Sequence, residues 1–153
     1  MANSGDNSRT ALIDGLNGLL ADHLALYFKT KNFHWHVTGP RFRDLHLLFD
    51  EQATEIQGQI DAIAERVRKN DAMTLTSIGA VAKATTIADQ DDVTLPAQKM
   101  LEELRDDNAK LVESLKALKT HAEDAGDNAT DGLIDDWTDM AEERVWFLSS
   151  SLK

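Results

Sequence analysis

Cysteine is absent from this chain of 153 residues, and proline and glycine are scarce. Without cysteine, neither a disulfide nor a thiolate metal site can form. Two prolines and eight glycines leave most of the chain free to form long helices. No apolar run approaches the roughly 20 residues of a membrane helix, and residues 1–10 are polar, unlike a secretory signal. We therefore expect a cytoplasmic protein with no membrane segment.

Basic residues are also few, with 16 lysines and arginines against 27 aspartates and glutamates, a net charge of −11. A protein that coats nucleic acid through its surface needs a basic footprint, so this balance argues against that function. An acidic surface suits a protein that attracts cations, but it suits equally a protein that is acidic only for solubility. The length predicts one domain, residues 1–153, of which residues 1–7 form a flexible tail.

Four long segments carry apolar residues at helical spacing. The segments are residues 8–37, 41–69, a third one after Thr94, and 131–151. Thr38-Gly39-Pro40 separates the first two, and residues 126–130 form a short turn before the last. Thr94 is expected to cap the third helix, with Pro96 in its first turn. The pattern therefore predicts an all-α protein.

Residues 70–93 connect the second and third helices, with a short helix expected at 77–84. A connector of 24 residues is too long for a simple hairpin between antiparallel neighbours. It fits a crossover that links parallel helices, as in ferritin-like bundles. We therefore expect a ferritin-like four-helix bundle with a short extra helix in its long crossover.

Two pairs of possible metal ligands lie on the second helix, His46 with Asp50 and Asp61 with Glu65. The members of each pair are four residues apart, so they share one helical face. His34, at the end of the first helix, adds a second imidazole. Imidazole and carboxylate ligands suit Fe(II), Mn or Zn, and the large share of carboxylates favours iron.

The two pairs are too far apart to bind one ion within one chain. Asp50 and Asp61 are separated by 11 residues, which span roughly 16 Å of helix at about 1.5 Å each, whereas a metal–ligand bond is only about 2 Å long. A two-fold copy of the same helix would place Asp61 and Glu65 of one subunit opposite His46 and Asp50 of the other. The spacing therefore predicts a metal site shared between two subunits.

Each of these residues could instead have a purely structural role. A lone histidine on an apolar helix face is usually a hydrogen-bonded core residue, and an Asp–Glu pair is usually part of a solvated face. Five polar interruptions between residues 34 and 65 are harder to account for in that way. His23 is compatible with a core histidine, whereas His36 and His121 suit helix ends or the surface. No Glu-x-x-His motif, which marks a di-iron site inside a bundle, occurs in the chain.

Residues 31–66 resemble the Dps proteins (DNA-binding proteins from starved cells), and the similarity covers nearly the whole chain. Their ferroxidase centre follows the pattern His-Trp, a second His twelve residues after the first, and then Asp, Asp and Glu at steps of four, eleven and four. The matching residues here are His34, Trp35, His46, Asp50, Asp61 and Glu65.

The resemblance implies a hollow shell of twelve subunits, built from dimers. Fe(II) would be oxidised there, preferentially by hydrogen peroxide, and stored as ferric oxyhydroxide, which protects against oxidative damage. His34 would hold one iron together with Asp61 and Glu65 of the partner subunit. His46 and Asp50 would help to hold a second iron.

The resemblance also assigns roles outside the ligand set. Trp35, next to the site, would absorb stray oxidising equivalents. Family members line a three-fold iron-uptake pore with acidic residues at the start of the fourth helix, where Asp131 and Asp135 are candidates. Gly132 stands where an aspartate is expected.

Members of the family that bind DNA commonly use a basic terminal tail. Residues 1–10 contain one basic residue, Arg9, so we expect weak or absent DNA binding. The alternative function is a nucleoid-condensing DNA-binding protein with secondary iron chemistry. A third possibility, a structural shell with a vestigial site, is disfavoured because all five ligand positions are intact.

Overall fold

The computed structural model describes residues 4–153, and this part of the chain contains four long helices and one short helix. The helices are α1 (Ser4–His36), α2 (Phe42–Lys69), α3 (Ile78–Ala84), α4 (Ala97–Asp124) and α5 (Asn128–Ser151). Within the described range, no helix is both long and apolar enough to cross a membrane.

The N-terminal tail and the starts of two helices differ from the sequence-based expectation. Residues 4–7 form the first turn of α1, whereas residues 1–3 of the expected tail lie outside the described residues. Thr94 does not cap α4, because its amide and hydroxyl both donate to Asp92 Oδ1, which favours a local turn instead. Pro96 is the N-cap of α4, and α5 begins before residue 131 because Asp127 caps it.

The first two helices form an antiparallel hairpin. Residues near the turn face each other, as His34 and His46 do, and residues further from it do the same, as His23 and Gln59 do. Gly39 has a φ of 109° in the connecting turn, a conformation that glycine adopts without steric cost. The hairpin therefore fixes which residues of α1 and α2 can meet.

The crossover joins two parallel helices. α1 runs antiparallel to α4, because an added Cβ on Gly15 would lie 2.6 Å from Leu118 Cδ1, while Lys29 Nζ lies 2.8 Å from Asp107 Oδ2. Since α2 and α4 are both antiparallel to α1, they are parallel to each other. The structure thus confirms the predicted four-helix bundle with a short helix in its long crossover.

The crossover is attached to α1 by buried polar groups. The Asp22 carboxylate accepts hydrogen bonds from the Thr85 hydroxyl at 2.8 Å and from the Thr86 amide at 2.7 Å. Lys29 Nζ donates to the carbonyl oxygen of Ala88 at 3.0 Å. Asp22 and Lys29 are both buried, and buried polar groups are costly unless they are paired. These bonds therefore hold the crossover in one position.

A buried arginine connects three helices in the bundle core. Arg144 of α5 is only 1% exposed; its Nε donates to Asn108 Oδ1 of α4 at 2.7 Å, and its Nη1 to Glu55 Oε1 of α2 at 2.5 Å. The carbonyl oxygen of Arg144 accepts from Gln52 Nε2 at 3.4 Å. Burial lowers the pKa of Arg144, while Glu55 opposes that shift. The arginine is thus held as a charged group by its partners.

The substitution Arg144→Ala is expected to lower the free energy of unfolding by about 3 kcal/mol, because it removes one partner of a largely buried ion pair. Thermal unfolding at a fixed protein concentration measures the change. The matched control is Arg105→Ala, whose ion pair with Asp106 is exposed and whose loss should cost no more than about 0.5 kcal/mol. Equal destabilisation by both substitutions would contradict the assigned role of Arg144.

Candidate metal centre

His34 and His46 bind each other's backbone across the α1–α2 hairpin. His34 Nδ1 lies 2.6 Å from the carbonyl oxygen of His46, and His46 Nδ1 lies 2.7 Å from the carbonyl oxygen of His34. A carbonyl oxygen only accepts hydrogen bonds, so each Nδ1 carries the proton. When the ring is neutral, its lone pair is therefore on Nε2, the form in which histidine binds a metal.

The two imidazoles are also stacked. Their ring centroids are 3.8 Å apart at an interplanar angle of 13°, and Phe42 continues the stack 5.0 Å from His46. Stacking and the reciprocal backbone hydrogen bonds together restrain both rings. Phe42 was not expected at the site, although its position one turn before His46 places both residues on one face of α2.

Asp50 lies one turn after His46, but its nearest cationic partner is a lysine. Asp50 Oδ1 is 2.7 Å from Lys31 Nζ and 3.8 Å from His34 Nε2. The hydrogen bond from Lys31 lowers the pKa of the Asp50 carboxyl group. Reasoning from ligand types in the sequence missed Lys31, because lysine is not a usual metal ligand. Its only signal was its place three residues before His34.

Asp61 and Glu65 form the second half of the predicted ligand set. Both are exposed on α2, and neither makes a side-chain hydrogen bond or ion pair with any residue in the range 4–153. In the same range, no three histidine, aspartate or glutamate side chains come together closely enough to hold a metal ion. One chain therefore brings His34, His46 and Asp50 into one neighbourhood but leaves Asp61 and Glu65 apart from them.

Trp35 contacts another aromatic residue of α1. Its ring is 56% exposed and packs edge-on against Phe28, with centroids 6.1 Å apart and an interplanar angle of 86°. Trp35 follows His34 directly in α1, so the two side chains leave the helix in different directions. A role for Trp35 in the oxidation chemistry stays a prediction.

The two aspartates predicted to line a pore share a lysine. Lys119 Nζ of α4 is 2.6 Å from Asp131 Oδ1 and 2.7 Å from Asp135 Oδ1. Hydrogen bonds to these two carboxylates raise the pKa of Lys119. The sequence indicated only that Asp131 and Asp135 lie one turn apart; it gave no sign that Lys119, on another helix, offsets part of their charge.

Asp127, which lies near the two predicted pore residues in the sequence, caps the start of α5 and binds the end of α2. Its carboxylate caps the helix by accepting from the Thr130 amide at 3.1 Å, and it also accepts from Arg66 Nη2 at 2.8 Å and Asn70 Nδ2 at 2.9 Å. Burial would raise the pKa of Asp127, but a hydrogen bond from the Thr130 hydroxyl and the three bonds above outweigh it and hold the pKa well below its usual range. This clamp joins the end of α2 to the start of α5.

The remaining histidines lie outside the candidate centre. His23 is fully buried, its Nδ1 is 2.9 Å from the carbonyl oxygen of Leu19, and burial lowers its pKa to about 4. His36, in the last turn of α1, lies 2.7 Å from the side-chain oxygen of Asn32. His121 lines a groove between α1 and α4. His23 is therefore a neutral core residue, as the sequence suggested.

Comparison with known proteins shows which family the chain belongs to. Residues 13–153 match the model of the ferritin-like domain. A DNA protection during starvation protein of Brevibacillus brevis is 35% identical over 145 residues, which cover 90% of this chain and 92% of that protein.

Two solved structures have the same fold along nearly the whole chain. A Dps protein from Bacillus brevis has a TM-score of 0.92 and 31% identity, with complete coverage of both chains. A Dps protein from Vibrio cholerae O1, described as a member of a broad superfamily of ferritin-like diiron-carboxylate proteins, has a TM-score of 0.90 and 30% identity, covering 96% of this chain and 92% of its own. The chain therefore belongs to the ferritin-like Dps family.

Proposed function

We propose that this chain is a ferroxidase and iron-storage subunit that protects the cytoplasm against oxidative damage. It oxidises Fe(II), preferentially with hydrogen peroxide, at a site shared between two chains, and it stores the ferric product in a hollow shell of twelve subunits. One observation carries the proposal. His46 and Asp50 both lie beside His34 in one chain, whereas Asp61 and Glu65 are exposed and unpaired further along α2 within the described range.

A two-fold copy of the chain would complete the centre. The rigid rise of α2 separates Asp50 from Asp61 by roughly 16 Å, and no bending of an intact helix removes that distance. In a dimer with antiparallel α2 helices, Asp61 and Glu65 of the partner subunit would face His34 and His46. The symmetry generates two equal sites. The exposure of the two carboxylates in the single chain supports this arrangement.

The side chains have separate tasks in the proposed reaction. The lone pairs on His34 and His46 Nε2 bind Fe(II) as a substrate, and the carboxylates neutralise the charge that increases when Fe(II) becomes Fe(III). Two Fe(II) ions give one electron each to hydrogen peroxide, whose oxygen–oxygen bond breaks to give two oxygens at the oxidation level of water. Because both electrons leave together, no hydroxyl radical is released.

DNA binding is proposed to be weak, although the relative from Brevibacillus brevis is named for DNA protection. The chain carries a net charge of −11, which repels phosphate. The single basic residue among residues 1–10 is Arg9, and its Nη2 donates to the carbonyl oxygen of Asn70 at 2.5 Å. Nothing in this arrangement favours a nucleoid-condensing function over iron oxidation.

Complementation between inactive chains tests the shared site. We expect His46→Ala/Asp50→Ala and Asp61→Ala/Glu65→Ala chains each to lose rapid Fe(II) oxidation when assembled alone. A dimer of one chain of each kind should recover one intact site of two, because both intact halves then meet at one position. The measurement is the ultraviolet absorbance of the ferric product after anaerobic Fe(II) loading and addition of peroxide.

Two tags, one on each chain, allow mixed dimers to be purified and verified before the assay. The control is a dimer of two differently tagged wild-type chains, which should retain both sites. No recovery in verified mixed dimers would show that the two ligand pairs do not share a site. Full activity of either double variant alone would show that its substituted residues are not required.

A gel-shift assay with plasmid DNA at about 0.15 M salt tests the alternative function. We expect no retardation without added divalent cations, because few phosphate contacts are available for counterion release. The same chain with six added N-terminal lysines serves as the positive control for the assay. Tight retention of DNA by the unmodified chain would favour the nucleoid-condensing function.

Iron uptake into the shell is proposed to follow Asp131 and Asp135 around a three-fold axis, where stacked acidic rings concentrate cations. We expect Asp131→Asn/Asp135→Asn to slow the growth of the ferric core without changing assembly, and Lys119→Met to accelerate it because the two carboxylates lose their neutralising partner. The control is Glu113→Gln, which removes an exposed carboxylate on α4. An unchanged uptake rate in the assembled double variant would remove both aspartates from the path.

A further inference from the structure

Met73 is the most exposed methionine in the part of the chain that the structure describes. It is 75% exposed, whereas Met100 is 1% exposed in the core and Met140 is half-buried. The sulfur of Met140 also accepts a hydrogen bond from Gln59 Nε2 at 3.0 Å, between α2 and α5. A methionine sulfur is oxidised where an oxidant can reach it. Within residues 4–153, Met73 is therefore the methionine that a dissolved oxidant reaches first.

Met73 lies in the tight turn that follows α2, residues 70–73. Asp71 has a φ of 57° in this turn, a left-handed conformation that is uncommon for residues other than glycine. A side chain of α1 holds the end of the turn, because Asn17 Nδ2 donates to the carbonyl oxygen of Met73 at 3.0 Å. The backbone of Met73 is thus fixed while its side chain extends into solvent.

The guanidinium group of Arg68 lies against the sulfur of Met73. Arg68 Nη1 is 3.1 Å from Met73 Sδ and 2.7 Å from the carbonyl oxygen of Ala72. A thioether sulfur is a weak acceptor, so this contact adds little while the methionine is reduced. A sulfoxide oxygen is polar, and hydrogen bonds from a charged donor are the strong ones. The donor that a sulfoxide at Met73 would need is therefore already beside it.

We propose that Met73 is a site of oxidation by hydroperoxides and that Arg68 binds the oxygen of the resulting sulfoxide. The sulfur attacks one peroxide oxygen, the sulfur–oxygen bond forms as the oxygen–oxygen bond breaks, and the second oxygen leaves as hydroxide. The proton of the transferred oxygen goes to that hydroxide, which gives the sulfoxide and water. The sulfur loses two electrons and the peroxide gains them. This step needs no metal ion, so it is independent of the proposed ferroxidase centre.

The contact with Arg68 determines what the oxidation does to the fold. Sulfoxide formation disrupts a core, because an apolar side chain becomes polar. Met73 is already exposed, so its oxidation puts no polar group into the core. The new oxygen gives Arg68 a second strong acceptor next to the carbonyl oxygen of Ala72. Oxidation is therefore expected to tighten the turn at residues 70–73.

Peptide mass spectrometry tests where the oxidation occurs. The assembled protein is freed of iron with a chelator and treated with hydrogen peroxide, and the gain of one oxygen is followed at each methionine. Met73 should be oxidised at least about tenfold faster than Met100 and Met140, because protein atoms cover the other two. Equal rates at Met73 and at either of these two residues would overturn the proposal.

Hydrogen exchange tests whether the turn tightens. The amides of Asp71 and Ala72 are hydrogen-bonded to carbonyl oxygens of α2, so their exchange reports on opening of the turn. Oxidation of Met73 should slow the exchange of the peptide that contains them roughly fivefold, the scale of one net hydrogen bond. Each variant is compared with its own reduced form.

Three variants assign the effect. Arg68→Ala should still be oxidised at Met73 but should show no slowing of exchange. Lys69→Ala removes the same charge from the neighbouring exposed position and should retain the slowing. Met73→Leu should show no response to peroxide in this turn.

The results separate the two parts of the proposal. Faster exchange in the oxidised wild type would show that the sulfoxide opens the turn, and slowing that persists in Arg68→Ala would show that Arg68 does not bind its oxygen; either result would overturn the role of Arg68. A response to peroxide in Met73→Leu would assign the effect to another residue and overturn the site itself. Because iron is absent throughout, failure of the proposed ferroxidase function would leave all these outcomes unchanged.

Discussion

The geometry of the centre depends on the hydrogen bonds that His34 and His46 exchange with each other's backbone. These two bonds, at 2.6 and 2.7 Å, join the end of α1 to the start of α2, and they also set which nitrogen of each ring is free. The hairpin contact and the metal-binding form of the histidines are thus one feature. A change that separates the two helix ends would release both imidazoles and alter their tautomers together.

Helix rigidity is the physical reason for proposing a site that two chains share. α2 carries four of the five candidate ligands, and the rise of about 1.5 Å per residue keeps its two pairs apart. Glu-x-x-His motifs on facing helices solve the same problem inside a single bundle, and the core of this bundle holds other groups in that space. Arg144, Asn108 and His23 occupy polar positions of the interior and bind protein partners there. The polar residues of the interior therefore already have protein partners, and the candidate ligands lie nearer the surface of the chain.

The helices could be predicted because they depend on local periodicity. The spacing of the candidate ligands along α2 could be read directly from the sequence. The long crossover between parallel helices followed from the length of its connector, and the structure confirmed it. The contacts of Lys31, Lys119 and Arg66 could not be predicted, since each joins residues on different helices and depends on the register between them. The prediction that Thr94 caps α4 was wrong. Its amide and hydroxyl donate to the Asp92 carboxylate in a local turn, and the N-cap of α4 is Pro96.

Five basic residues are paired with carboxylates, and these pairs bear both on the proposed metal binding and on the weak DNA binding that we expect. Lys29 and Arg144 are buried with carboxylate partners, and Arg66 is held by Asp127. Lys31 and Lys119 lie on the acidic groups of the proposed centre and of the proposed pore. Positive charge is thus placed against carboxylates at the places where iron is proposed to bind, which leaves less of it free for phosphate. A chain with this distribution can attract cations through its remaining acidic surface.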